Sequence, residues 1–376
     1  MTRVLFFIES LSRGGAEKVL VTLLKYLDYS KYEVTLMTLV DFGELREDVD
    51  MSKLYYISVI RKAKNRWQQI WNKIKYILIY HYLPCRLVNR WIVPQKGIDV
   101  YIAFTEGFST KLLSFTSGKK IAWVHADLKA DPWTQNIHIY KCFAEERKVY
   151  NQYERVVCVS ASIEQIMKEK YELKQTITIY NPIDTEDILQ KAKQPVEIEI
   201  PSSFNIVSVG RLVSLKGYDR LIPIISKLRH EGKDVQLYVI GEGCEHKYLE
   251  SIIRKEGLQD VVHLMGYLSN PYPLMVNMDL FVCSSIAEGY SLAIAEAMTL
   301  GLPIISTLCA GPKNLLEDGE YGMLVNNNKD ALYDGICRII ESPILLEELK
   351  NKSIEKRKDF RIKATLNQID YLIGTL

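Results

Sequence analysis

From end to end the chain alternates short β-rich runs with amphipathic stretches, and that alternation narrows the folds open to it more than any other feature. In the first half the strand candidates are Arg3–Ile8, Glu33–Val40, Ile98–Phe104, Lys120–Val124 and Arg155–Val159. In the second they are Asn205–Val209, Val235–Ile240, Val261–Leu264, Leu280–Cys283 and Pro303–Ser306. Between them, Ala16–Leu27, Tyr218–Leu228, Lys247–Glu256 and Leu332–Ile340 carry apolar residues at helical spacing. Parallel strands need crossover connections, so this rhythm specifies parallel sheets covered by helices.

A chain of 376 residues is too long for one ordinary domain. The rhythm fails at Gln190–Phe204, "QKAKQPVEIEIPSSF", where Pro195 and Pro201 fall, and we place a boundary there, between residues 1–190 and 200–356. The expected architecture is α/β, two doubly wound domains facing a cleft, with ligands at the carboxyl ends of the strands. The closing stretch Phe360–Ile373 puts Ile362, Leu366, Ile369 and Ile373 on one helical face. Residues 357–376 either pad the second domain or cross back to complete the first.

Charge and cysteine content set limits on partners. Lys plus Arg number 48 against 46 Asp plus Glu, a near balance that disfavours nucleic acid. The seven cysteines are scattered, with no C-x-x-C pair, which points to a reducing compartment and away from a disulfide frame or zinc site. Met1–Ser10 has too short an apolar run for a signal peptide, and no run reaches the roughly 18 apolar residues of a membrane span, so a cytoplasmic location is expected.

"EGYSLAIAE", Glu288–Glu296, places two carboxylates around an otherwise core-like run. Gly289 and Ser291 suit a loop and an N-cap, so a helix is expected to begin near Ser291 and run through Met298, leaving Glu288 in the loop and Glu296 inside the helix. The N–H groups of Gly289, Tyr290, Ser291 and Leu292 then gather at a helix N-terminus, which binds anions, while the carboxylates accept from hydroxyls. A ligand carrying both phosphates and sugars fits that pattern. Upstream, "SVGRLVSLKGYDRL" follows a strand and leads into a helix, with Gly210 and Gly217 flanking a turn that holds Arg211 and Lys216. Two cations at a strand's carboxyl end suit a diphosphate, although surface Arg and Lys beside a turn are also ordinary. The Walker A spacing is not met, because Leu215 precedes the lysine and Gly217 follows it.

In the first half, Gly14 and Gly15 of "SRGGAEKVL" either admit close approach of phosphate or sugar or make a plain tight turn. His125 ends the strand of "IAWVHAD", where it either packs structurally or donates to a sugar hydroxyl or developing charge. The other five histidines show no metal-ligand spacing, and "GEGCEH" at Gly241 reads as a loop. Asp48 and Asp50 of "EDVD" read as a solvated acidic loop and not as a metal site.

The least ordinary composition lies in residues 51–98. Arg61–Lys96 holds many Lys and Arg and no acid, interleaved with Trp67, Trp71, Tyr76, Tyr80, Tyr82 and Trp91. Trp67, Ile70, Trp71, Ile74 and Leu78 fall on one helical face. Such a helix either lies in an anionic membrane interface or packs its apolar face into the core.

Taken in order, "SRGGAEKVL", "WVHAD", "NPID", "VGRLVSLKGYDRL", "VIGEGCEHKYLESI", "HLMGYLSN", "CSSIAEGYSLAIAEAMTLGLPIIST" and "GPKNLLEDGEYGMLV" resemble the family-4 retaining glycosyltransferases of the GT-B fold. The resemblance spans nearly the whole chain and is strongest over Phe204–Val325. It implies that Arg211 and Lys216 hold the diphosphate of a nucleotide sugar and stabilise the leaving nucleotide. It gives Glu288 to the donor sugar, Glu296 to the ribose, and Gly210, Gly289, Tyr290, Ser291 and Leu292 to the donor between them. Gly14 and Gly15 would close on the donor, His125 would face the donor sugar, and Pro182–Asp184 would form the interdomain crossing. Arg211, Lys216, Glu288 and His125 are then the catalytic set. Retention would proceed on one face of the sugar, the departing phosphate taking the acceptor's proton, with no metal and no cofactor beyond the nucleotide sugar, most simply a UDP-hexose or UDP-N-acetylhexosamine. The first domain would take a lipid-linked saccharide acceptor, such as a polyprenyl diphosphate. That places the chain in surface-polysaccharide assembly, peripheral on the inner leaflet. A nucleotide-sugar 2-epimerase and a non-catalytic partner subunit share the fold and are the alternatives.

Overall fold

The computed structural model describes residues 1–196 and 198–376. It divides into two units, Met1–Pro182 with Ile362–Leu376, and Ile183–Arg361.

The first unit carries a seven-stranded sheet in the order β3-β2-β1-β4-β5-β6-β7. Its strands are β1 Thr2–Ile8, β2 Tyr32–Val40, β3 Tyr55–Ile60, β4 Val100–Ala103, β5 Lys119–Val124, β6 Arg155–Cys158 and β7 Thr176–Thr178. Every pairing is parallel. The second unit carries a six-stranded sheet in the order β10-β9-β8-β11-β12-β13, again all parallel. Its strands are β8 Phe204–Val209, β9 Val235–Ile240, β10 Val262–Leu264, β11 Leu280–Cys283, β12 Ile304–Thr307 and β13 Met323–Val325. In both sheets strand order reverses once, between β1 and β4 and between β8 and β11. Outside the carboxyl ends of those pairs the flanking loops part, and that is where a doubly wound sheet receives a ligand.

The second sheet shows why its strands read as unbroken apolar runs. Leu280 and Val282 face one core with Ile206, Leu237 and Leu221, whereas Phe281 and Cys283 face another with Val207, Tyr238 and Ile294. Both faces are covered, so alternation has no solvent side to mark. Each fully buried Leu or Ile contributes about 1.5–3 kcal/mol.

Three strands escaped the sequence reading, β3, β7 and β13, and all three are sheet edges. Their residues are mostly half-buried, so the apolar signal is diluted. The change of unit also falls earlier than the proline-marked stretch 190–204, of which Glu197 lies outside the described residues. Helix Thr185–Lys191, N-capped by Asp184, packs Ile183 and Ile188 into the second core, and Asn270 Nδ2 donates to Lys191 O at 3.0 Å. The prolines therefore interrupt a segment already docked on the second unit.

The last helix, Ile362–Gly374, belongs to the first unit. Lys31 Nζ lies 2.7 Å from Asp370 Oδ2, Thr365 Oγ1 donates to Tyr180 O at 3.3 Å, and Ile369, Leu372 and Ile373 are buried. Among the described residues no helix is long and apolar enough to cross a membrane.

Candidate donor site and its relatives

At the carboxyl end of β8 the chain passes through Gly210 and Arg211 into a single 3-10 turn, Ser214–Lys216, and then into helix Tyr218–His230. Gly217 joins them at φ +65, a left-handed conformation that glycine adopts without strain. A Cβ there would also lie 2.3 Å from Ser284 O. The turn is fastened to the end of β11, because Ile286 N donates to Leu215 O at 2.7 Å and Ser284 Oγ to Lys216 O at 2.7 Å. Lys216 is thereby brought to Glu288, with which it forms a hydrogen-bonded ion pair, the side chains 21% and 13% exposed. Ser285 Oγ donates to the same Glu288 oxygen at 3.5 Å.

Burial works to lower the pKa of the Lys216 ammonium and the nearby Arg211 works the same way, but the Glu288 carboxylate more than offsets both and the net shift is upward. The lysine stays charged. Arg211 itself is exposed. The loop after β9 braces this turn from beneath: Leu212 N donates to Glu242 O at 3.0 Å, and Gly241, at φ +144, runs so close that a Cβ would lie 2.0 Å from Gly210 O. Residues 241–245 of "GEGCEH" form a loop, as the sequence suggests, with His246 opening the helix His246–Lys255, and the loop supports the cationic turn.

Beyond Glu288 the chain enters helix Leu292–Thr299 with Ser291 as N-cap, its hydroxyl accepting from Ile294 N at 3.4 Å. Gly289 and Ser291 are buried, Tyr290 and Leu292 half-buried, and Glu296 is 5% exposed inside the helix. Gly311 N donates to Glu288 O at 2.8 Å, and a Cβ on Gly311 would stand 2.9 Å from Tyr290 Cα, so a glycine is required at that crossing. Gly210, Arg211, Lys216 and Glu288–Leu292 thus converge on the β8/β11 switch point. Ser284, Ser285, Arg220 and Gly311, which sequence reading passed over, hold them there; apart from the glycine, none has a spacing that would have marked it.

In the first unit, Gly14 is the N-cap of helix Gly15–Tyr26, with φ −94, so the backbone there does not itself demand glycine. His125 directly follows β5, its backbone N donating to Glu106 Oε2 at 3.0 Å and its ring tilted against Phe104 at 5.2 Å. Burial drives its pKa down to about 3, against a hydrogen bond to the Phe104 backbone that acts the other way. Nε2 is shielded and has no hydrogen-bond partner, so Nδ1 makes that bond and Nε2 is left as an acceptor on a neutral ring. Asp50 of the acidic loop accepts from Ser52 and pairs with Lys53 at 3.3 Å.

The basic aromatic segment forms helix Arg66–Ile77, N-capped by Asn65, followed by a π turn, Leu78–Tyr82. No residue in either is buried; Trp67 is 77% and Trp71 61% exposed. The core-packing alternative is thereby removed. A cavity of about 640 Å³ lies against the helix, its lining including Arg61, Lys62, Gln68, Trp71, Asn72 and Lys75.

Two parallel doubly wound units and a cation–carboxylate cluster at a switch point are the frame of a GT-B enzyme. Residues 13–187 match the family model described as Glycosyltransferase Family 4, and residues 190–357 the one described as Glycosyl transferases group 1. The chain belongs to this glycosyltransferase family. One relative, 25% identical over the full length of both chains, is the N-acetylgalactosamine-N,N'-diacetylbacillosaminyl-diphospho-undecaprenol 4-alpha-N-acetylgalactosaminyltransferase of Campylobacter jejuni. A lipopolysaccharide core biosynthesis glycosyltransferase of Rhizobium meliloti, LpsE, is 30% identical over 40% of this chain and 42% of its own. Among solved structures, Anabaena HepE in complex with UDP and glucose has the same fold, with TM-score 0.77 at 19% identity over all of both chains.

Proposed function

We propose that this glycosyltransferase moves a hexose or N-acetylhexosamine from a UDP-sugar to a polyprenyl-diphosphate-linked saccharide, with retention of anomeric configuration and without a metal or other cofactor. The observation that carries the reading is the cluster of Arg211, Lys216 and Glu288 at the β8/β11 switch point. A diphosphate placed there meets two cations and the N-terminus of helix Leu292–Thr299. Glu288 and Glu296 supply acceptors for sugar and ribose hydroxyls. As the bond from the anomeric carbon to the phosphate oxygen breaks, Arg211 and Lys216 take up the charge on the leaving nucleotide. The acceptor oxygen bonds to the same face and its proton passes to the departing phosphate.

The acceptor side of the proposal rests on Arg61–Lys96. Among the described residues, Arg61, Lys62, Lys64, Arg66, Lys73 and Lys75 have no ion-pair partner, beside an exposed row of Trp67, Ile70, Trp71 and Ile74. A lipid-linked acceptor pairs an anionic diphosphate with an apolar chain at a membrane surface, which matches both features. The relative from Campylobacter jejuni is named for a diphospho-undecaprenol acceptor. The protein then sits peripherally on the inner leaflet, in surface-polysaccharide assembly.

Incubation of the full chain with a panel of nucleotide sugars, with and without a polyprenyl-diphosphate saccharide and with chelator, tests this. Nucleotide release only with acceptor, an unchanged anomer by NMR and indifference to chelator are expected. An altered sugar without acceptor would make the chain an epimerase, and no turnover a partner subunit.

A further inference from the structure

Arg220 lies in the first turn of helix Tyr218–His230, directly behind the ion pair. Its Nε donates to Ser284 O at 2.9 Å; its Nη2 donates to the same oxygen and to Ser285 O at 3.0 Å, and reaches Thr307 Oγ1 at 3.5 Å. The Thr307 hydroxyl donates in turn to Ser285 O at 2.6 Å. One guanidinium therefore spans the carboxyl ends of β11 and β12. A Cβ on Gly217 would stand 2.6 Å from Arg220 Nε, so the same group also fills the space beneath the turn after β8.

The two serines it grips are the two that hold the ion pair. Ser284 Oγ donates to Lys216 O and Ser285 Oγ to Glu288 Oε1. Lys216, Glu288, Ser285, Arg220 and Ser284 thus close a ring of contacts around the switch point. Peptide carbonyls at strand ends present partial negative charge where an anion has to bind. The guanidinium is bonded to two of them. Burial lowers its pKa, but an arginine keeps its charge at any physiological pH.

We propose that Arg220 is a positioning residue of the diphosphate site. It fixes the Lys216–Glu288 pair at the strand ends and offsets the carbonyl dipoles facing the donor's diphosphate, without touching the donor. The proposal rests on the nucleotide-sugar reading above. It goes beyond packing, because a lysine would keep the charge but cannot reproduce the fork to two carbonyls, and a methionine keeps neither charge nor donors.

The test uses the full chain, with calorimetric titration by UDP and steady-state kinetics in which donor and acceptor are varied separately. R220M is expected to weaken UDP binding about tenfold and to lower kcat/KM for the donor about a hundredfold, with the acceptor KM unmoved. R220K should recover part of both losses. R220M with wild-type UDP affinity and donor KM overturns the proposal, as does an acceptor KM that moves as far as the donor's. Should R220M fail to fold, R220K decides: unchanged UDP affinity overturns the proposal, and weaker affinity with an unmoved acceptor KM supports it. A wild-type protein that binds neither UDP nor GDP overturns the donor reading and this inference together, whereas an indifferent R220M in a binding protein overturns the inference alone.

Discussion

The two sheets share a strand order, and the carboxyl ends at their centres are furnished in opposite ways. At the second, Lys216 is held charged by Glu288, with Arg211 and Arg220 close by. At the first, Glu9 follows β1, Glu106 follows β4 and His125 follows β5, and burial pushes each toward its neutral form. Glu9 is raised to about 7, and Tyr80 Oη donates to it at 3.5 Å; Glu106 is raised, and His125 falls to about 3. Fixed charges suit phosphate, whereas neutral donors and acceptors recognise hydroxyls without a field that would also draw in ions. A single fold thus carries a charged cluster at one switch point and buried groups shifted toward their neutral forms at the other.

The largest test of that contrast is catalytic. Replacing Lys216 by Met should lower kcat about 10²–10³-fold in a donor-saturated assay, the loss expected when a positioned charge is taken from a transition state. H125A should cost less, about tenfold, and should leave the pH profile between 5 and 8 unchanged in shape, since the ring is neutral throughout that range. An acid limb that disappears in H125A would break the comparison by showing a titrating imidazole at the first sheet.

Next in size is the effect at the basic helix and at the Arg61–Lys64 stretch that leads into it from β3. Charge reversal at Arg61, Lys62, Lys64 and Arg66 removes four cations, each worth about 1 kcal/mol near an anionic leaflet, so binding to phosphatidylserine vesicles should fall by about a hundredfold or more. Turnover of a water-soluble acceptor analogue should hardly change. Unaltered vesicle binding would remove the membrane from the proposal and leave the donor chemistry standing.

How much of this was written in the sequence depends on whether a residue acts through pattern or through contact. Core strands such as Val235–Ile240 and Leu280–Cys283 were legible to the residue, because burial on both faces demands unbroken apolar runs. The N-cap at Ser291 was legible too, since a hydroxyl before an apolar helix has one common use. Edge strand Tyr55–Ile60 was absorbed into the basic segment that follows it, because a half-buried edge carries a diluted signal. No spacing marks Arg220 within its helix or Glu9 at the end of its apolar run. Their roles come from carbonyls and a phenol far away in sequence, contacts that no spacing rule encodes.

The last expected effect is on stability and not on turnover, and it bears most directly on the first sheet. Glu9 titrates near 7 in the folded chain against an ordinary value near 4.5, so between those values the folded state holds a proton that the unfolded state has released. Its contribution is therefore present below about 4.5 and is lost as pH rises through 7, amounting to about 3 kcal/mol. His125 runs the other way: with its pKa at about 3 in place of 6.5, its contribution is full above 6.5 and is lost as pH falls toward 3. Across roughly pH 4.5–6.5 the two oppose each other, and the wild-type stability curve should be flat there. E9Q removes one limb. Urea denaturation of E9Q from pH 4 to 8 should then show stability climbing to about pH 6.5, across the range where the wild type is flat, and holding level above it. Parallel curves for the two proteins would mean that Glu9 is ionised at working pH, and the first sheet would then carry charge as the second does.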